Sequence, residues 1–202
     1  MRADSTETAE RAEHCVVLAG GRGRRLGGGK PLRALAGRPL ISYPIAAART
    51  AGLRPVIACK PETDLGPFDT TAVVVLREPT RPSHPLLGIA TALRALDAPV
   101  VVCPCDLPLI PAALLAHLAG LSGEAVVAGH DAIDPLLGRY GPGSIPALER
   151  AVTDGLAART AVAAVDPLLV GTEQLSAFGD PAAMLSNANT AEDLRRIERA
   201  LG

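Results

Sequence analysis

The sequence predicts a Rossmann-like α/β domain of three layers whose mostly parallel sheet is covered by helices on both faces. Three observations predict it. Short runs such as Cys15-Val16-Val17-Leu18-Ala19 are apolar throughout, as strands buried on both faces are. Longer segments of helical period separate these runs. The first run opens into a glycine cluster, Gly20, Gly21, Gly23, Gly27, Gly28 and Gly29. In such folds ligands sit outside the carboxyl ends of the strands.

The elements follow in order. Cys15–Ala19 reads as the first strand. Pro39–Ala51 reads as a helix closed by Gly52, and Pro55–Cys59 and Ala72–Leu76 as the second and third strands. Leu86–Leu96 is the next helix, followed by a fourth strand at Pro99–Cys103. Pro111–Leu118 begins with a proline, which a first helical turn accepts because its N–H is unpaired there anyway. Glu124–Ala128 reads as a fifth strand, Ser144–Val152 as a helix and Thr190–Leu201 as a terminal helix. Thr190 suits the N-cap, with Glu192 and Asp193 in the first turn, where the macrodipole favours anions. Residues 1–13 read as a disordered or loosely ordered lead-in, and residues 14–202 as a single domain without repeats or linkers.

Composition narrows the function classes. The 202 residues are 48% hydrophobic with mean hydropathy +0.25, enough for one core. Two Tyr, two Phe and no Trp leave no aromatic platform for stacking single-stranded bases. A net charge of −1 gives no footprint for a polyanion, so no nucleic-acid partner is expected. Every apolar stretch is broken well short of the roughly 20 residues that span a bilayer, and the polar start lacks a secretory apolar segment. A cytoplasmic protein is expected. Cys15, Cys59, Cys103 and Cys105 lie mostly in apolar runs and read as buried free thiols. Cys103 and Cys105 lack the partners a structural zinc needs.

The glycine cluster is interleaved with Arg22, Arg24 and Arg25. Glycines let successive N–H groups converge on an anion, and arginines neutralise a polyphosphate. The stretch lacks G-K-[ST] and the third glycine of a dinucleotide fingerprint, and Lys30 is followed by Pro31 with no helix opening there; P-loop and dehydrogenase readings are therefore demoted. Of the 20 basic residues, 18 are Arg and only Lys30 and Lys60 are Lys. Lys30 then marks a place needing a compact ammonium on phosphate oxygens, whereas Lys60 reads as an ordinary surface residue. Asp106 closes the run Val-Val-Val-Cys-Pro-Cys among Pro104, Pro108 and Pro111. A carboxylate there needs a cation, a hydrogen bond or water, and beside a triphosphate Mg²⁺ is a natural partner.

Three segments carry a resemblance: Leu18 to Leu32 (L-A-G-G-x-G-x-R-x-G-x-x-K-P-L), Cys103 to Pro111 (C-P-C-D-L-P-L-I-P) and Asn187 to Leu194 (N-A-N-T-A-E-D-L). Together they resemble the MobA-like NTP transferases, and among these most closely the molybdenum cofactor guanylyltransferases. The resemblance implies Mg²⁺-dependent transfer of GMP from GTP to the phosphate of a molybdopterin-type acceptor, with pyrophosphate released. It implies transient docking to molybdoenzyme assembly proteins as well. By position, Leu18, Ala19 and Gly20 would face guanine and ribose, and Gly21 to Arg25, including Arg22 and Gly23, would wrap the triphosphate. Lys30 would hold phosphate oxygens and Asp106 would bind Mg²⁺. Asn189, with Asn187 close by, would complete the metal or acceptor side, and Glu78 falls near a nucleotide-contacting Asp. Gly20-Gly21 points to GTP, since cytidylyl relatives more often carry A-A-G.

Departures from the family pattern are Gly29 for the usual Asp, His84 for a glycine, and Asp134 for a polar neutral residue before Pro135. His84 and His130 are expected as pocket walls, His130 on the acceptor side. Other acceptors are cytidylyl transfer to the same pterin, guanylyl transfer to phospholactate, or a sugar phosphate. A catalytically weak nucleotide-binding adaptor is the reading from another class.

Overall fold

The computed structural model describes residues 10–21, 29–69 and 73–201. Most of the expected lead-in, and Arg22 to Gly28 of the glycine cluster, lie outside the described residues. Of the segment before residue 14, Ala12 is buried and donates to Ala119 O at 3.0 Å.

In chain order the strands and helices are β1 (His14–Leu18), β2 (Ala34–Leu35), β3 (Arg38–Pro39), α1 (Ser42–Thr50), β4 (Arg54–Cys59), β5 (Val74–Arg77), α2 (Leu86–Leu96) and β6 (Val100–Pro104). There follow α3 (Ala112–Gly120), β7 (Ala125–Gly129), β8 (Ile133–Tyr140), α4 (Ile145–Thr153), α5 (Ala158–Ala163), β9 (Leu168–Val170), α6 (Thr172–Leu175), α7 (Pro181–Met184) and α8 (Ala191–Leu201). The main sheet runs β5-β4-β1-β6-β8-β7-β9, and β2 and β3 form a small hairpin apart from it. All its pairings are parallel except those of β8, which is antiparallel to both β6 and β7.

Period-two alternation along fully apolar strands divides the core into two layers. Val16, Val56, Val100, Val102 and Val127 point to the side covered by α2, α4 and α5. Cys15, Val101, Cys103 and Val126 point to the other side, where α1 and α3 pack. Successive side chains on a strand face opposite ways, so an unbroken apolar run feeds both layers.

The predicted strands and helices are present, with ends displaced by up to a few residues. Strand β8 was not predicted. Asp134, Pro135, Gly138 and Arg139 interrupt its apolar pattern. The pairing needs these breaks: a Cβ on Gly138 would fall 2.1 Å from Val126 O, at the register shift between β7 and β8. Lys30–Leu32 forms a single 3-10 turn rather than the start of a longer helix.

Helix α8 is tied back across the molecule. Ile197 packs with Leu35, Leu40 and Ala188. Its first turn is capped as predicted: Thr190 Oγ1 accepts from Asp193 N–H at 3.1 Å, and Asp193 Oδ2 accepts from Thr190 N–H at 2.9 Å. This reciprocal pair satisfies two otherwise orphaned donors and fixes Asn187 to Asn189 just before it. Among the described residues no helix is long and apolar enough to cross a membrane.

Candidate active site

The carboxyl ends of four adjacent strands deliver polar residues to one edge. In sheet order, β5 leads to Glu78, β4 to Lys60, β1 to Gly20 and β6 to Asp106. Hydrogen bonds beyond the strand ends hold these residues in line: Glu78 N–H to Cys59 O at 2.9 Å, Ala19 N–H to Ala58 O at 2.8 Å, and Cys105 N–H to Leu18 O at 3.0 Å. The convergence predicted from the sequence is present.

Lys30 reaches across this edge. Its ammonium donates to Asp106 Oδ2 and, at 2.6 Å, to Asn189 Oδ1. Ala188 N–H donates to Asp106 O at 2.9 Å, so the segment before α8 is clamped to the end of β6. Lys30, Asp106 and Asn189, distant in sequence, therefore form one cluster. Preceding Lys30, Gly29 has φ +59 with open space where a Cβ would lie. That left-handed conformation favours glycine and is one Asp also visits, which gives the departure at this position a backbone reason.

Two cavities meet at Asp106. The first, about 260 Å³, is lined by Leu18, Gly20, Gly21, Ala58, Glu78 and His84 among others, with Lys30 and Asp106 at one end and Lys60 at the other side. The second, about 580 Å³, includes Asp106, His130, Asp134, Arg159, Asn187 and Asn189. Of the nucleotide-side residues predicted from sequence, Leu18, Gly20, Gly21, Lys30, Glu78 and Asp106 line the first cavity, while Ala19 is buried in the core behind it. Asn187 and His130 line the second. Arg22, Gly23 and Arg25 lie outside the described residues.

Lys60 is a correction. It is not an ordinary surface residue: only 7% is exposed. Its Nζ donates to Pro79 O at 2.6 Å and lies 3.4 Å from Glu78 Oε1. A buried charge must be paired, and Glu78, 5% exposed, is the partner. Burial pushes the Glu78 carboxyl above its usual range, and the Lys60 cation draws it partly back. Two glycines make room for this carboxylate. A Cβ on Gly20 would sit 2.2 Å from Glu78 Oε1, and one on Gly88 would sit 3.0 Å from Glu78 Oε2. The signal for Lys60 was available in the sequence: it is the second lysine of an Arg-rich chain and stands directly after an apolar strand, as the glycine cluster does.

His84 has both ring nitrogens engaged, Nδ1 accepting from Leu86 N–H at 3.2 Å and Nε2 donating to Leu156 O at 2.7 Å. It braces the cavity wall against the loop after α4. His130 is similarly tied to Thr172, whose Oγ1 lies 3.1 Å from its Nδ1. Arg159, overlooked by the sequence reading, places a cation beside the second cavity, with its Nε donating to Ile133 O at 3.2 Å. Asp134 accepts from Leu136 N–H at 2.9 Å. Burial pushes its carboxyl up, the Leu136 hydrogen bond opposes this, and Asp106 adds to it. The four cysteines are buried free thiols, and burial pushes that of Cys105 up to about 12.

Asp106 and Asn189 offer two hard oxygens to one ammonium, a geometry that also suits a small divalent cation. Among the described residues no group of three His, Cys, Asp or Glu converges. A metal held by these two oxygens would need further ligands, such as the phosphate and water oxygens on which Mg²⁺ commonly draws.

Comparison with known proteins agrees with the motif reading. A family model described as the MobA-like NTP transferase domain matches residues 15–175. The molybdenum cofactor guanylyltransferase of Cereibacter sphaeroides is 32% identical over 197 residues, covering 92% of this chain and 95% of that protein. A probable molybdenum cofactor guanylyltransferase of Haloferax mediterranei is 33% identical over 129 residues, which span 59% of this chain and 60% of that protein. The crystal structure of molybdopterin-guanine dinucleotide biosynthesis protein A from Archaeoglobus fulgidus superposes with TM-score 0.78 at 27% identity, covering 93% of this chain and 98% of that one.

Proposed function

The chain belongs to the MobA-like NTP transferase family, and on that premise we propose that it transfers GMP from GTP to the phosphate of a molybdopterin-type acceptor, releasing pyrophosphate. The observation that carries this reading is the Lys30–Asp106–Asn189 cluster at the junction of two cavities. The names of the relatives supply the acceptor.

The nucleoside lies toward Glu78 and Lys60, with Leu18 and Gly20 against it. The triphosphate crosses Gly21 and Lys30, where Arg22, Gly23 and Arg25 of the glycine cluster join it. The acceptor phosphate enters from the second cavity, where Arg159 offsets its charge and His130 and Asn187 form the wall. One of its oxygens attacks the α-phosphorus. A new P–O bond forms as the bond to pyrophosphate breaks, and pyrophosphate departs with the electron pair. The acceptor phosphate is already ionised near neutral pH, so no general base is needed.

Catalysis is then alignment of two anions and offset of their charge. Asp106 and the neutral oxygen of Asn189 would hold Mg²⁺, which would supply positive charge to offset that of the phosphates. Lys30 exchanges its carboxylate partner for phosphate oxygens when the nucleotide binds. Residues 14–202 act as one domain in the cytoplasm, and the product passes to molybdoenzyme assembly proteins by transient docking.

The test is pyrophosphate release with each NTP paired against molybdopterin, phospholactate and a sugar phosphate, with Mg²⁺ present. Release with GTP and molybdopterin is expected. Release with CTP or another acceptor would redirect the assignment, and none with any pair would leave a nucleotide-binding adaptor.

A further inference from the structure

The Lys60–Glu78 pair stands at the ends of β4 and β5, two strands removed from the Asp106 end of β6 in the case of Lys60, and Lys60 also borders a cavity that it shares with Gly21 and Lys30. Burying both members of an ion pair costs desolvation that the mutual attraction offsets only incompletely. Both nevertheless line a ligand-sized cavity, beside the apolar walls of Leu18 and Ala58.

An ammonium has three donors. One serves Pro79 O and a second faces Glu78 Oε1, leaving a third for a ligand. A carboxylate has acceptors on both oxygens. Together the pair offers, side by side, one donor and two acceptors. Guanine presents the complement along one edge: O6 accepts, N1–H and the 2-amino group donate. Uracil matches O4 and N3–H but turns O2 toward a carboxylate oxygen. Adenine and cytosine present an amino group to the ammonium and a ring nitrogen acceptor to the carboxylate, so both positions repel.

We propose that Lys60 is a base-specificity residue, its ammonium donating to guanine O6 while Glu78 receives N1–H and the 2-amino group. This rests on the reading of GTP as donor substrate. It gives Gly20 a definite reason as well: the glycine leaves room for the carboxylate that completes the pair.

The test is calorimetric binding of GTP, 6-thio-GTP, UTP and ATP to the full chain with Mg²⁺ and no acceptor. The thio analogue weakens the acceptor at position 6 alone. The wild-type protein is expected to bind GTP roughly tenfold tighter than 6-thio-GTP, the scale of one hydrogen bond to a charged group, with UTP next and ATP weakest. Lys60→Met should lose about that factor toward GTP and bind both guanine nucleotides alike. If it loses the two equally, Lys60 does not touch O6 and the proposal fails while the GTP reading stands. If the wild-type protein prefers UTP or ATP, the GTP reading itself fails. Should Lys60→Met fail to fold, Lys60→Met/Glu78→Gln, which removes both charges, takes the same measurement: a GTP to 6-thio-GTP ratio unchanged from wild type overturns the proposal, and a ratio near one supports it.

Discussion

Two lysine–carboxylate pairs stand in one crevice and differ in almost everything but composition. Lys30–Asp106 joins residues 76 apart, shares its ammonium with Asn189, and lies where two cavities open. Lys60–Glu78 joins neighbouring strand ends at 3.4 Å, enclosed by Gly20 and Gly88. On the proposed function the first pair is exchangeable: an arriving phosphate would replace Asp106 at Lys30, and an arriving cation would replace Lys30 at Asp106. The second is a fixture, because both members are buried and face each other across neighbouring strand ends. An ion pair at the mouth of a site thus stores counter-charges for the reaction, whereas one in its wall shapes what the wall accepts.

The largest expected effect breaks the first pair. Asp106→Asn should lower the transfer rate by about a thousandfold, the upper range for losing one preorganised electrostatic partner, with nucleotide affinity little changed. Unchanged turnover would remove Asp106 from the site. Lys30→Ala should likewise act on kcat, with only a modest change in stability.

Breaking the second pair should read out in folding instead. Lys60→Met leaves the Glu78 carboxylate without its cation and should cost about 3 kcal/mol in urea unfolding. Lys60→Met/Glu78→Gln should recover most of this; equal instability of the two variants would mean that packing, not charge, holds the wall.

The smallest effect concerns the fit between glycine and carboxylate. Gly20→Ala forces Glu78 away from Lys60 and should cost about 1–2 kcal/mol, as overpacking does. In a Glu78→Ala background the same substitution should be nearly neutral. Additive costs in that double-mutant cycle would show that the glycine answers to something else.

The contrast also explains what was legible beforehand. Fully apolar runs disclosed β1, β4, β6 and β7, and Thr190 with Asp193 marked the start of α8. The first pair was legible because Lys30 and Asp106 each sit in a segment of recognisable chemistry, while Asn189 was indicated only by the family resemblance. The second was not, because a buried lysine and an exposed one are spelled alike, and only the neighbouring strand supplies the carboxylate that makes burial tolerable. Strand β8 stayed hidden for a related reason: its Gly138 and Arg139 answer to partners elsewhere, Arg139 Nη2 donating to Glu10 O at 2.9 Å. Arg159 was missed because nothing local separates a cavity-facing arginine from the other seventeen.

The hydrogen bond from Lys30 to Asn189 spans 159 residues, and that span has a meaning for biosynthesis. The amino end of a growing polypeptide leaves the ribosome first. The sheet edge that carries Glu78, Lys60, Gly20 and Asp106 is available before α8 has been made. Nucleotide could be held at that stage, but the oxygen of Asn189 is still untranslated. On the proposed function, competence to transfer would switch on only when the segment carrying Asn189 has docked, so that translation finishes before turnover begins.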